Sequence, residues 1–335
     1  MKKFATLAVL AAVSAASYAQ SSVTLFGVAD ATYQFGRGSV ANKTALGGSG
    51  LTSNRLGFRG VEDLGGGLKA GFWLEAGYNL DDGTGNANNF NFNRRSTVSL
   101  MGDSWGEVRL GRDFTATYNN VYDAFGDNGV GALLKTTSLG SDFGYAMQTR
   151  TSNAVSYFTP NVSGFKGQVQ YYRGEAANGS NAGTGYALRG SYENGPLNVG
   201  LAYGAVSDLA TYGDAKHVNV GGSYDFGVAK LLVSLGQDES KALDEKTRNF
   251  LVGATAPVGS GLVRASWSRV DVRGTDVTAD KFAVGYVHNL SKRTAVYTTF
   301  AYLKNKDGAA LSLNGARTGF GDSSKGLDVG LRHTF

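Results

Sequence analysis

Residues 68–79 read LKAGFWLEAGYN. The even positions, Leu68, Ala70, Phe72, Leu74, Ala76 and Tyr78, are all apolar or aromatic. The odd positions, Lys69, Gly71, Trp73, Glu75, Gly77 and Asn79, are mostly polar or small. Successive side chains of a strand point to opposite faces, so this period of two describes a β-strand with one apolar face. The same alternation returns at Leu197, Val199, Leu201 and Tyr203 against Asn198, Gly200, Ala202 and Gly204. It returns again at Ala229–Leu235, Phe282–Tyr286 and Leu327–Phe335.

A soluble sandwich also alternates, and there the second face is wet and charged. Here that face is crowded with glycine, serine and threonine, while aromatic residues gather near strand ends, as they do at the two lipid interfaces of a membrane barrel. Composition agrees. Glycine supplies 49 of 335 residues and proline 3, and aromatic residues make up 11%. A disordered glycine-rich chain lacks such aromatics. Beyond residue 19 no stretch approaches the roughly 20 apolar residues of a membrane helix. A membrane protein without such helices must close a β-barrel, because lipid offers no partner to an open backbone edge.

The first residues, MKKFATLAVLAAVSAASYAQ, carry Lys2 and Lys3, then an apolar run, then Ser17-Tyr18-Ala19. This is the pattern of a cleaved export signal, 1–19, with the mature chain at 20–335. Without those two lysines the formal excess of positive charge is 3, too slight to indicate a nucleic-acid partner. Cysteine is absent, which removes disulfides, thiolate nucleophiles and Cys-based metal sites.

Breaks between the alternating stretches come in two lengths. Short ones are expected at Asp63–Gly67, Asp103–Gly106, Pro160–Gly164, Asn194–Pro196, Asp225–Gly227, Pro257–Gly261 and Asn289–Arg293. Long ones are expected at about 37–50, 80–91, 114–148, 174–184, 207–216, 238–247, 271–279 and 304–324. Seven short turns and eight long loops join sixteen antiparallel strands, with short periplasmic turns, long external loops and both mature ends at the periplasmic rim. A barrel of that width holds an aqueous channel.

Several runs then carry a resemblance: SSVTLFGVADA (21–31), SNRLGFRGVEDLGGGLKAGFWLE (53–75), FNRRSTVSLMGDSWGEVRLGRDF (92–114), NAVSYFTPNVSGF (153–165), NLSKRTAVY (289–297) and GLRHTF (330–335). They span the mature chain, which resembles the general porins of Gram-negative bacteria, in particular the beta-proteobacterial group of Neisseria, Bordetella, Burkholderia and Comamonas type. The resemblance implies a homotrimer in the outer membrane, among lipids and lipopolysaccharide, passing small hydrophilic solutes and ions by passive diffusion. It also implies a third long loop folded into the pore, and a terminal Phe335 that serves as the signal to the outer-membrane assembly machinery. A Phe there also seals a strand end against lipid.

The third long loop, near 114–148, is expected to carry the acidic residues Asp113, Asp123, Asp127 and Asp142, with Lys135 as its one base. Facing it, parity puts Arg55, Arg59 and Arg95 on the inner wall, and Arg150 with them, since it shares parity with Ser152, Ala154 and Ser156. Arg109 is inward near a periplasmic turn. Arg94 and Arg112 have outward parity near the upper rim, where a long side chain reaches water. In the resembled family a ladder of arginines opposes the acidic loop, and such a pair of charged walls biases ions by sign. The expected lean is weakly toward anions. The alternative is that these arginines solvate a polar lumen, or pair with Asp30 and Glu75.

Other functions fit less well. An enzyme would need a Ser–His pair or a metal pair, but the only histidines, His217, His288 and His333, have no such spacing, and neither GxSxG nor HExxH occurs. No cofactor and no metal ligand set is legible. A substrate-specific channel on the same barrel, for instance for anionic solutes, would need a dedicated ligand ladder. Trp73, Tyr172 and Tyr297 have inward parity but stand on separated strands.

Overall fold

The computed structural model describes residues 22–85, 90–134, 148–177, 180–209 and 212–335. The export signal expected at 1–19 lies outside these residues. The described residues form seventeen strands: β1 (Ser22–Arg37), β2 (Lys43–Gly48), β3 (Arg55–Gly65), β4 (Leu68–Gly77), β5 (Arg95–Gly102), β6 (Gly106–Phe114), β7 (Arg150–Phe158), β8 (Phe165–Tyr172), β9 (Gly185–Asn194), β10 (Leu197–Leu209), β11 (Gly213–Asp225), β12 (Lys230–Ser240), β13 (Glu245–Val258), β14 (Gly261–Val272), β15 (Thr278–Asn289), β16 (Thr294–Lys306) and β17 (Ser323–Thr334).

These seventeen segments make sixteen staves. β1 pairs its upper half with β2, from Ala31↔Gly48 to Gly36↔Lys43, and its lower half with β3, from Ser22↔Val61 to Val28↔Arg55. The second stave is therefore one strand broken in two. Every other stave pairs antiparallel with its sequence neighbour, and β1 closes on β17 from Val28↔Thr334 to Arg37↔Lys325. No edge is left open, as lipid requires.

The break in the second stave has a local cause. Ser49 adopts a left-handed backbone (φ 65°), and the chain turns into the barrel there. Asp30 then supplies what the sheet no longer does: its carboxylate accepts the N–H groups of Leu51 (2.9 Å) and Thr52 (2.7 Å), and its own N–H donates to Asn54 Oδ1 (2.6 Å).

Three expected loops are shorter than the sequence indicated: the 37–50 break contains β2 and shrinks to the turn between Arg37 and Lys43, and two more are cut back higher in the barrel. The 207–216 and 238–247 breaks shrink to the hairpins Leu209–Gly213 and Ser240–Glu245, because the ladder runs on through polar pairs such as Lys216↔Glu239 and His217↔Asp238. The outward pair, Lys216 and Glu239, marks water above the lipid, and backbone pairing continues past that boundary.

Outward positions carry the apolar alternation: Phe58, Phe72, Leu201, Val220, Val284, Phe300 and Val329 are all exposed on the outer wall. Rings cluster in two belts, Phe165–Tyr192 (4.6 Å) and Tyr224–Phe226 (4.7 Å) near the short turns, Tyr186–Tyr203 (6.1 Å) and Phe250–Trp267 (5.2 Å) toward the long loops. That is the girdle arrangement of a transmembrane barrel. The closest packing lies inside the barrel, where Tyr122, Phe125, Val130 and Leu134 press on Val270, Ala283, Ala301 and Leu303 of the wall.

Candidate pore constriction

The chain leaves β6 at Phe114 and enters the lumen. Thr115 ties the neck of the loop, its N–H donating to the Thr149 carbonyl (3.2 Å) and its hydroxyl to that of Gln148 (2.5 Å). A single 3-10 turn, Tyr118–Asn120, starts the crossing. Asn120 then meets Asn219 of β11 (3.0 Å), the Tyr122 hydroxyl donates to Asn198 (2.7 Å), and the Val130 N–H donates to Asp328 of β17 (2.8 Å). Lys281 of β15 donates to the Ala132 carbonyl. The loop thus lies along the inner wall of β10–β17.

Inward glycines make room for it. A Cβ on Gly221 would stand 2.5 Å from the Tyr122 ring, and one on Gly326 would stand 2.3 Å from Val130. Gly285 and Gly253 lie under Phe125 and Ala124 in the same way, at 3.1 and 3.0 Å. The Arg264 guanidinium closes over the Phe125 ring at 4.6 Å.

Opposite the loop, β3 to β7 carry the arginines. Glu75 is a hub: it binds Arg94 at 2.6 Å and Arg55 at 3.6 Å, and accepts the Trp73 indole N–H at 3.2 Å. Asp113 is a second hub, with Arg109 at 2.5 Å and Arg95 at 3.6 Å, and Arg109 also binds Glu107 at 2.8 Å. The Trp73 ring holds Arg95 at 4.4 Å and Arg59 at 5.0 Å, a cation–π pairing. Arg59 is exposed and has no carboxylate partner among the described residues. The Arg150 guanidinium lies over Phe114 at 4.3 Å.

Four expectations need correction. Asp113 is not part of the acidic loop: it is buried on β6 among the bases. Asp123 does not present a free carboxylate to the lumen. The residue is half-buried, and its carboxylate accepts the N–H groups of Phe125 (2.9 Å), Asp127 (3.0 Å) and Leu133 (2.8 Å), holding the loop's own shape. Burial pushes this carboxyl above the ordinary range, while the three donors pull it back. Arg150 does not share parity with Ala154 and Ser156, because a bulge with Asn153 at φ 54° shifts the register, so that Thr151 sits opposite Asp113 and Arg150 opposite Phe114. Arg94, assigned outward parity, is buried and turned to Glu75, since it precedes the first residue of β5.

Arg112 reaches neither hub. It donates to the Asn93 carbonyl (2.6 Å) and the Ser152 hydroxyl (2.9 Å) at the upper rim. Asp127, at φ 58°, accepts the hydroxyl of Tyr118 (2.9 Å). Tyr118 stacks on Phe114 at 4.9 Å, and its hydroxyl is held neutral, first by burial and then by the adjoining Asp127 carboxylate. Asp142 and Lys135 lie outside the described residues. Tyr172 and Tyr297 are buried, the latter bonded to Asp30 and Thr32, so neither offers a surface to a solute.

Phe335 ends the chain at the seam. It exchanges both backbone hydrogen bonds with Gly27 (3.0 and 3.1 Å).

Comparison with known proteins follows this geometry closely. The family model described as Gram-negative porin matches residues 6–308. The outer membrane porin protein 32 of Delftia acidovorans is 44% identical, over 100% of this chain and 99% of its own length. An outer membrane porin of Bordetella pertussis is 30% identical over the whole of both chains. Among solved structures, the anion-selective porin from Comamonas acidovorans superposes with a TM-score of 0.86 at 39% identity, covering 94% of this chain and 100% of its own. The OmpT outer membrane protein of Vibrio cholerae, with its loop L8 deleted, shares the fold at TM-score 0.70 and 16% identity. With its closed barrel, its outward apolar wall and its whole length accounted for, this chain belongs to the Gram-negative porin family and is a porin of the outer membrane.

Proposed function

We propose that this porin is exported by a cleaved signal at 1–19, assembles as a homotrimer and passes small hydrophilic solutes and ions by passive diffusion, with a preference for anions. It works as a channel rather than a catalyst. One observation carries the sign of the preference. Of the seven arginines of β3 to β7 and their flanks, Arg55, Arg94, Arg95 and Arg109 pair with three carboxylates, Glu75, Glu107 and Asp113, while Arg59, Arg112 and Arg150 are paired with none of the three. Four guanidinium charges stay in excess on one side of the narrowed lumen. On the other side the Asp123 carboxylate is taken up by three backbone N–H groups of the loop, which leaves Asp127 as the acidic group near the Tyr118 hydroxyl.

A water column between such walls lies between bulk and protein in dielectric, where two charges at ~4 Å interact by about 1 to 4 kcal/mol. An anion entering is therefore favoured over a cation of equal size. The likeness to the anion-selective Comamonas porin supports the same sign. The experiment is single-channel recording in a planar bilayer under a salt gradient. A reversal potential of the anion sign is expected; a cation sign would refute the preference and leave the pore itself standing.

A further inference from the structure

The lipid-facing wall of β12–β16 carries a feature that the channel does not use. Leu231, Val252, Ala254, Ala265, Val284 and Phe300 line an apolar groove of about 460 Å³. Its floor is the cross-strand pair Ala254↔Ala265, flanked by larger outward side chains. At the end toward the long loops, Trp267, Phe282 and Tyr302 complete the lining, with Trp267 and Phe282 stacked at 6.3 Å and 24°.

Directly beyond these rings, on the same outward faces, the wall turns basic. Arg248, Arg269 and Lys304 each stand two residues past an aromatic (Phe250, Trp267 and Tyr302), which is roughly 7 Å along a strand. Lys325 of β17 is in register with Tyr302. Asp280 organises the row. It accepts the Trp267 indole N–H (3.1 Å), lies 3.7 Å from Arg269 and is in register with Lys304. Four cations stand here with Asp271 and Asp280 as the facing acids, a positive excess at the depth where lipid headgroups begin.

We propose that this is a binding site for lipopolysaccharide of the outer leaflet, with an acyl chain in the groove and a phosphate on Arg269 and Lys304. The spacing suits that occupant: a bare trough at hydrocarbon depth, an aromatic collar at the interface, and basic side chains one step above. The proposal rests on the outer-membrane reading, which puts the long-loop end outside.

The test uses the folded full-length protein, stripped of lipid and titrated with purified lipopolysaccharide, with the same material dephosphorylated, and with phosphatidylglycerol. Wild type is expected to bind the intact lipid most tightly. Dephosphorylation, or the double substitution Arg269→Ser and Lys304→Ser, should each weaken binding by roughly thirtyfold. Ala265→Leu, which fills the floor, should weaken binding of both intact and dephosphorylated lipid. All variants should keep wild-type conductance in a bilayer of neutral lipid, which shows that they fold. Equal affinity of wild type and the double variant overturns the site, as does equal affinity for phosphatidylglycerol. So does a change of oligomeric state in Ala265→Leu without loss of lipid, which would make the groove a contact between copies. A wild type that forms no channel at all would instead indict the porin reading.

Discussion

The ring of Phe335 lies against the α-carbon of Gly27. A Cβ built on that glycine would stand 2.3 Å from the Phe335 ring and 2.9 Å from the Arg55 carbonyl. The last residue of the chain thus sits in a notch that one of its first strands provides, at the seam where the barrel closes. Gly27→Val should displace the ring, and Phe335→Ser should leave the notch empty while keeping the backbone pair. If Phe335 acts only by sealing the seam, both variants lower the yield of folded barrel alike. If it is also the signal to the assembly machinery, Phe335→Ser should lose far more outer-membrane protein than Gly27→Val at equal synthesis. Unheated gels of membrane fractions, read against total expression, separate the two.

Selectivity should follow the arginines according to their partners. Arg59 is exposed and meets only aromatic faces, so Arg59→Ser should remove a full charge from the lumen and move the reversal potential toward cations, by about 1 kcal/mol or roughly fivefold in the permeability ratio. Glu75→Gln should move it the other way, because Arg94 and Arg55 lose their shared carboxylate. Asp127→Asn should also shift toward anions. Leu74→Ala, on the outer face, should leave the potential where it was. An unmoved potential in Arg59→Ser would mean that ions do not pass along that wall.

Asp123 should matter through pore size and not through charge. Asp123→Ala strands three N–H groups inside the loop, a loss of roughly 3 kcal/mol or more, and should loosen the loop from the glycine-lined wall. Higher single-channel conductance and noisier current are expected, with the heat resistance of the barrel retained. A change in ion preference at constant conductance would contradict the inward turn of this carboxylate onto the loop's own N–H groups.

Topology can be read with single cysteines, since the chain has none of its own. Asn42, Ser180 and Ala310 are exposed on the long-loop side, and Gly65, Gly195 and Gly259 on the short-turn side. A membrane-impermeant maleimide on intact cells should label the first three and spare the second. Labelling at position 195 would put the stave count off by an odd number.

Much of this architecture is legible in the sequence alone. Parity alone put Trp73 and Glu75 on one face with Arg55 and Arg59, because β3 and β4 pair without irregularity over that stretch. It failed for Arg150, where a single bulge residue, Asn153, reverses every face beyond it. It failed for Arg94 because alternation holds only inside a strand. The loop's docking was hidden for a different reason: its partners, Asn219, Asp328 and Lys281, are distant in sequence, and burial of Asp123 depends on a fold that no period reveals. The inward glycines were visible as a pattern, yet nothing in a period of two says that glycine there leaves a track for another segment.

The interrupted second stave offers a practical opening. Between Ser49 and Asn54 the wall is not held by strand pairing but by Asp30 and the Thr32 hydroxyl, acting from the neighbouring stave. A Cβ on Gly129, in the pore loop, would stand 2.2 Å from the Gly50 carbonyl, so this stretch touches the loop that crosses the lumen. A binding peptide spliced there would hang inside the current path without cutting the continuous hoop below it. For anyone building a nanopore sensor, that is an attachment point already inside the vestibule and already relieved of the sheet's demands.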